Sequence, residues 1–236
     1  MSFAPAYPHG SIEKIAENVF MVRGSIMLNP ITRICRNMAI VKEGDTLTLI
    51  NPIRLNSEGL EALEAQGTVK HILRLGAFHG LDDPFYMDRY KPQFWSQEGG
   101  ETYPEPKPAH VLSDGCPLPF DGGEIHCFHG TKEPECVLLM KEQRLLLTCD
   151  AIQHYGDYSY NNFLARLLMP FIGFPKRTLI GPIWLKHMSE DAASLRPQFE
   201  QIADLDFDSL FSAHGTFLQS GAQENVRKAI ELAFEK

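Results

Sequence analysis

Residues 138–150 read LLMKEQRLLLTCD, two apolar runs around a Lys141-Glu142-Gln143 turn, closing on one acid, Asp150. Short apolar runs separated by a polar turn predict a buried hairpin, with strands over 136–140 and 144–148. Residues 39–51, AIVKEGDTLTLIN, repeat the layout: apolar run, Lys-Glu turn, apolar run, polar terminus. Asn51 stands in the first copy where Asp150 stands in the second. Any two hairpins share part of this pattern, and a pseudo-duplicated pair of sheets would produce it too; the sequence leaves both open.

Working outward, NVFMVR at 18–23 alternates apolar and polar side chains as a half-buried strand does, and 69–75 and 124–128 read as further strands. Residues 209–213 predict a strand that runs into His214-Gly215. SEGLEALEAQ at 57–66 predicts a short helix with Ser57 as N-cap, Gly67 as its stop, and Leu60 and Leu63 on one face. Residues 221–235 predict an amphipathic helix, with Val226, Ile230 and Phe234 spaced by four. Strands dominate and helices follow groups of strands, which predicts packed β layers covered by helices.

The chain has 236 residues and no low-complexity tract, so a single domain over 1–236 is expected. Its 22 Lys and Arg against 30 Asp and Glu give a net charge of −8. That balance argues against a nucleic-acid partner and disfavours an anionic membrane surface. The five cysteines include no Cys-x-x-Cys pair, the usage of reduced thiols, so a cytoplasmic location is expected. The opening MSFAPAYPHGSIEK lacks the basic start and apolar centre of a signal peptide. No apolar run is long enough to span a bilayer; LARLLMPFIGF at 164–174 is short and broken by Arg166, Pro170 and Gly173.

The order of these elements resembles the metallo-β-lactamase superfamily from about Val19 onward. The resemblance implies an α/β, four-layer αββα sandwich with metals held by loops at one edge of two sheets. Leu147-Thr148-Cys149-Asp150 resembles the family's Thr-Gly-Asp turn, whose carboxylate bridges two metals, and Ser212-Ala213-His214-Gly215 resembles its Pro-Gly-His-Gly turn. The His-x-His-x-Asp-His motif is reduced to one histidine in GAFHGLDDPFY. With His79 at the first position, Asp83 takes the motif's acid; with His79 at the second, Ala77, Leu81 and Asp82 take the other ligand positions. The first register retains more ligands. Lys132, in Gly130-Thr131-Lys132-Glu133-Pro134-Glu135, falls where the family has another ligand histidine; His129 lies three residues earlier.

The resemblance therefore implies a reduced metal site with His79, Asp82, Asp83, Asp150 and His214 as candidate ligands for one Zn or Fe ion, metal-free folding being the alternative. Asp150, Asp83 and Lys132 are the candidate catalytic groups. The implied activity is metal-dependent hydrolysis of a small ester, thioester, amide or phosphodiester. Two alternatives are a non-catalytic module holding a small anionic ligand against Lys132, and a mononuclear iron redox or sensor protein. Residues 155–187, which carry His154's polar-aromatic neighbours and the basic Lys176-Arg177, are read as a lid; a plain helical cover and a homodimer contact are alternatives. Each of these residues also has a plain structural reading: Asp82-Asp83-Pro84 is a good helix start, Cys149 a buried inert thiol, and Arg177 and Lys186 solvated charges.

Overall fold

In Leu145, Leu146 and Leu147, successive side chains of one strand enter different apolar cores, because side chains alternate across a strand. A strand apolar on both faces must be covered on both, and this sets the layering. The computed structural model describes residues 3–235; the outermost residues of the expected 1–236 domain lie outside them.

The first sheet holds seven strands in sequence order: β1 (Glu13–Ala16), β2 (Val19–Asn29), β3 (Thr32–Glu43), β4 (Thr46–Ile50), β5 (Thr68–Arg74), β6 (Gln93–Ser96) and β7 (His110–Val111). Pairing is antiparallel from β1 to β4 and parallel from β4 to β7. The parallel steps cross over through α1 (Ser57–Glu64) and α2 (Asp83–Tyr90). The chain continues through β8 (Gly123–Cys127), β9 (Cys136–Met140), β10 (Leu145–Thr148), β11 (Ile152–His154), α3 (Phe163–Leu168), β12 (Thr178–Ile180), α4 (Pro182–Met188), α5 (Arg196–Ala203), β13 (Ser209–Ser212) and α6 (Ala222–Phe234). The second sheet has the order β13-β10-β9-β8, with β10 and β13 parallel. β11 and β12 form a separate pair.

Three cores separate four layers. Val19, Met21, Ala39, Val41 and Leu73 of the first sheet meet Ile125, Leu138, Leu145, Leu147 and Phe211 of the second. The outer face of the first sheet packs Met38, Ile40 and Ile72 against Leu60 and Leu63 of α1 and Phe85 and Tyr86 of α2. The outer face of the second packs Val137, Leu139, Leu146 and Leu210 against α4, α5 and α6. This is the expected αββα sandwich. No helix of the described residues is long and apolar enough to cross a membrane.

The two similar hairpins lie in opposite sheets, Ala39 opposite Ile50 in one and Leu138 opposite Leu147 in the other. Asn51 and Asp150 therefore close equivalent hairpins but take different work. Asn51, at φ 48°, ties sheet strands together, its Oδ1 accepting the Leu75 N–H at 2.8 Å. The cap of α1 is Asn56 rather than Ser57: the Asn56 Oδ1 accepts the Gly59 N–H at 2.8 Å, and Ser57 is the first residue of the helix.

Candidate active site

The strand register delivers the site. Thr148 of β10 lies opposite Ser212 of the parallel β13, so Asp150 and His214, each two residues further on, emerge together at one sheet edge. His79 arrives from the first sheet. Beyond β5 the chain is stitched to the other sheet, with the Cys136 N–H donating to the Leu75 carbonyl at 2.8 Å and the Ala77 N–H to Pro134 at 3.0 Å. A single 3-10 turn, Ala77–His79, then turns the imidazole inward.

The result is a three-residue cluster. His79 Nε2 lies 3.2 Å from Asp150 Oδ2, and His214 Nε2 lies 3.1 Å from Asp150 Oδ1. The imidazoles sit edge to face, centroids 5.0 Å apart. His214 is aimed by its other nitrogen, which donates to the Cys35 carbonyl at 2.6 Å; a carbonyl only accepts, so Nδ1 carries the hydrogen. Cys35 also accepts the Gly215 N–H at its sulfur, 3.0 Å away. Asn37 holds the same turn by donating to the Ser212 and Gly215 carbonyls.

Burial and charge act on the three groups in opposition. Burial pushes the His79 imidazole down to about 4 despite the pull of Asp150, so His79 is neutral. Burial also disfavours charge on His214, but the bonds to Asp150 and Cys35 outweigh it and raise the ring to about 10. Burial would raise the Asp150 carboxyl, yet the two imidazoles beside it hold it well below the usual carboxylate range. Asp150 is thus an ionised carboxylate compensated by His214.

A further buried acid stands behind. Glu135 Oε1 accepts the N–H groups of Asp150 and Ala151 at 2.9 and 2.6 Å, and its Oε2 accepts the Trp184 indole N–H at 2.8 Å. Burial, then the Asp150 charge, raise this carboxyl well above its ordinary value. Glu135, Cys149 and Asp150 also have donor atoms close together, but the oxygens of Glu135 are committed to N–H groups and the Cys149 thiol is raised by burial. The cavity-facing set is His79, Asp150 and His214, whose donor atoms all lie within 4.8 Å of one another.

These three open onto a cavity of about 620 Å³. Its walls are mostly apolar, including Ile34, Met169, Phe174 and Trp184, with Arg36, Gln153 and His187 among the polar exceptions. Arg36 is buried; its Nη2 donates to the His79 carbonyl at 2.9 Å. Residues of the 155–187 segment, among them Ala165, Leu168 and Met169, form one wall.

The other expected site residues go elsewhere. Asp82 directly precedes α2, makes no capping hydrogen bond and faces Arg36, 3.6 Å away, while Asp83 is buried 3.3 Å from Arg74. Both belong to the start of α2, which has Pro84 in its first turn, and neither carboxylate joins the His79–Asp150–His214 cluster. Lys132 is a surface residue 3.3 Å from Glu190, and it does not line the cavity. His129 is likewise exposed and paired with Asp114 at 2.7 Å. Arg36, Cys35 and Glu135 carry no motif that marks them in the sequence. The one available signal is for Glu135, an acid placed directly before the fully apolar strand CVLLM.

Solved structures of the same architecture are numerous. A metallo-β-lactamase from Erythrobacter litoralis matches at a TM-score of 0.65 over 95% of this chain and 92% of that one, with 14% identity. The metallo-β-lactamase FIM-1 from Pseudomonas aeruginosa, in its mono-zinc form, matches at 0.67 over 99% of both chains with 12% identity. One from Pontibacter korlensis matches at 0.67 over 96% and 99% with 12% identity. The chain has the metallo-β-lactamase fold. The sequence matches no family model, and no curated protein is similar to it at the sequence level. Identity this low leaves the metallo-β-lactamase fold as the shared property, and the chemistry must be argued from the side chains at the sheet edge.

Proposed function

We propose that the protein is a hydrolase that uses one metal ion, held by His79, Asp150 and His214, on a substrate with a substantial apolar part. The observation that carries this reading is the convergence of two imidazoles and an ionised carboxylate at the base of an apolar cavity. The donors fit an ion. A tetrahedral Zn²⁺ with bonds of about 2.0 Å spaces its ligand atoms about 3.3 Å apart, and Asp150 Oδ1 lies 3.3 Å from His79 Nε2 and 3.1 Å from His214 Nε2. The Nδ1–H bond to Cys35 leaves the His214 Nε2 lone pair for a metal once its proton is displaced. Two nitrogens and a carboxylate suit Zn or Fe.

Such an ion, when bound, supplies a water acidified toward hydroxide near neutral pH. The chain does the rest. Asp150 and the neutral His79 supply donors, and Glu135 fixes the Asp150 backbone. The Tyr155 hydroxyl donates to Gln153 at 2.9 Å, and Gln153 donates to the Asp150 carbonyl at 2.9 Å, bracing the same turn. The apolar walls exclude bulk water and take the hydrophobic part of an ester, thioester, amide or phosphodiester substrate. The 155–187 segment works as a cover over that cavity.

A metal-free binding pocket is the second reading, favoured by the closed charge balance between Asp150 and His214. Metal analysis after expression with Zn, Fe and Mn decides between them. The hydrolase reading expects about one ion per chain, lost in His214→Ala and Asp150→Ala, with p-nitrophenyl ester hydrolysis lost in parallel. A wild-type content below about a tenth of an ion per chain overturns it.

A further inference from the structure

The most exposed large apolar side chains are not scattered. Phe163 and Phe171 are 83% and 82% exposed, and Ile31 is 68% exposed. Leu28, Leu168, Ile172 and Ile183 are exposed and also line the active-site cavity, so the cavity wall continues outward onto the surface. The β2–β3 turn and the start of α3 are joined, the Asn162 side chain donating to the Ile31 carbonyl at 2.8 Å and the Asn162 N–H to Arg33 at 3.0 Å. An apolar surface this continuous marks a contact site.

Charge identifies the partner. Between Asp157 and Glu190 the chain has no acid, but it has Arg166, Lys176, Arg177 and Lys186, all exposed. That stretch carries +4. The remaining 18 basic and 30 acidic residues leave −12 for the rest of the chain, so the net charge of −8 averages two unlike regions. A twofold contact between two copies would set basic segment against basic segment. An anionic lipid surface instead pairs headgroups with the cations and receives the aromatic and aliphatic rim.

We propose that the mouth of the cavity docks on an anionic lipid bilayer. Phe163, Phe171 and Ile31 enter the interface while Lys176, Arg177, Arg166 and Lys186 meet lipid phosphates. The acyl part of a lipid-borne substrate then passes into the cavity along Leu168 and Ile172 without crossing water. This last step rests on the hydrolase reading; the docking does not.

Vesicle flotation of the full chain tests it, with phosphatidylcholine vesicles prepared with and without phosphatidylglycerol. The wild type is expected to float with the phosphatidylglycerol vesicles and to be released by salt. Phe163→Ser/Phe171→Ser and, separately, Lys176→Glu/Arg177→Glu are each expected to weaken binding about tenfold or more. Both pairs are exposed, so unchanged melting curves separate lost docking from lost folding. Wild-type protein that stays unbound, or variants that bind as before, overturn the proposal. So does a wild-type dimer by light scattering that Phe163→Ser/Phe171→Ser turns into monomer without any vesicle binding. Flotation does not read the metal, so its failure is distinct from a failure of the hydrolase reading.

Discussion

Glu135 accepts the backbone N–H of Asp150 at 2.9 Å, so a buried carboxyl group one residue before β9 sets the turn on which the site acid stands. Removing it strands three N–H donors, those of Asp150, Ala151 and the Trp184 indole. Glu135→Ala is expected to cost at least about 3 kcal/mol in chemical denaturation. Glu135→Gln keeps an acceptor for the two backbone groups but turns an amide N–H toward Trp184, for a cost of about 1–2 kcal/mol. Equal effects of the two substitutions would show that Glu135 does not hold the turn through those bonds.

Gly215 occupies φ 85°, and a Cβ there would run into the His154 carbonyl. Backbone cannot retreat as a side-chain tip can, and left-handed φ adds its own penalty. Gly215→Ala is expected to destabilise by about 2–4 kcal/mol and to displace His214, lowering metal content together with the melting temperature. Wild-type stability in this variant would contradict the geometry of the turn.

Asp83 predicts a pH dependence. Burial raises its carboxyl from 3.8 to about 7, against the pull of Arg74 and Arg36, and neither oxygen accepts a hydrogen bond from a described residue. With the folded value above the unfolded one, its contribution is fully present below about pH 4. It declines as pH rises toward 7, because the unfolded chain ionises first. Asp83 is expected to remove on the order of 2–4 kcal/mol across that window. Asp83→Asn should flatten this part of the denaturation-versus-pH profile; an unchanged profile would mean that Arg74 keeps the group ionised throughout.

Lys132 and Glu190 are 52% and 88% exposed. Exposed pairs contribute little, so Lys132→Ala is expected to change stability by less than about 1 kcal/mol and to leave metal content and esterase activity as they are. A large loss of activity would bring Lys132 back into the chemistry that its resemblance to a ligand position implies.

The layering of the fold was legible because it is written in local pattern. Apolar runs on both sides of the Lys141-Glu142-Gln143 turn can be stable only when covered on both faces, and the runs around Glu43-Gly44-Asp45 and the period of 221–235 supply the covering layers. Asp150 and His214 were legible for a related reason: each closes a strand, and strand ends are where a sheet edge presents its side chains. Two things were decided only in three dimensions. The first is where the acids after His79 point, since Asp82 and Asp83 at the start of α2 face Arg36 of β3 and Arg74 of β5. The second is the support and environment of the site. Arg36, Cys35 and Glu135 act through bonds to His79, His214 and Asp150, and the apolar cavity needs the β2–β3 hairpin to meet α3. Burial, charge compensation and cavity shape arise from contacts between different elements, from Arg36 with His79 to His214 with Cys35, and no local pattern encodes them.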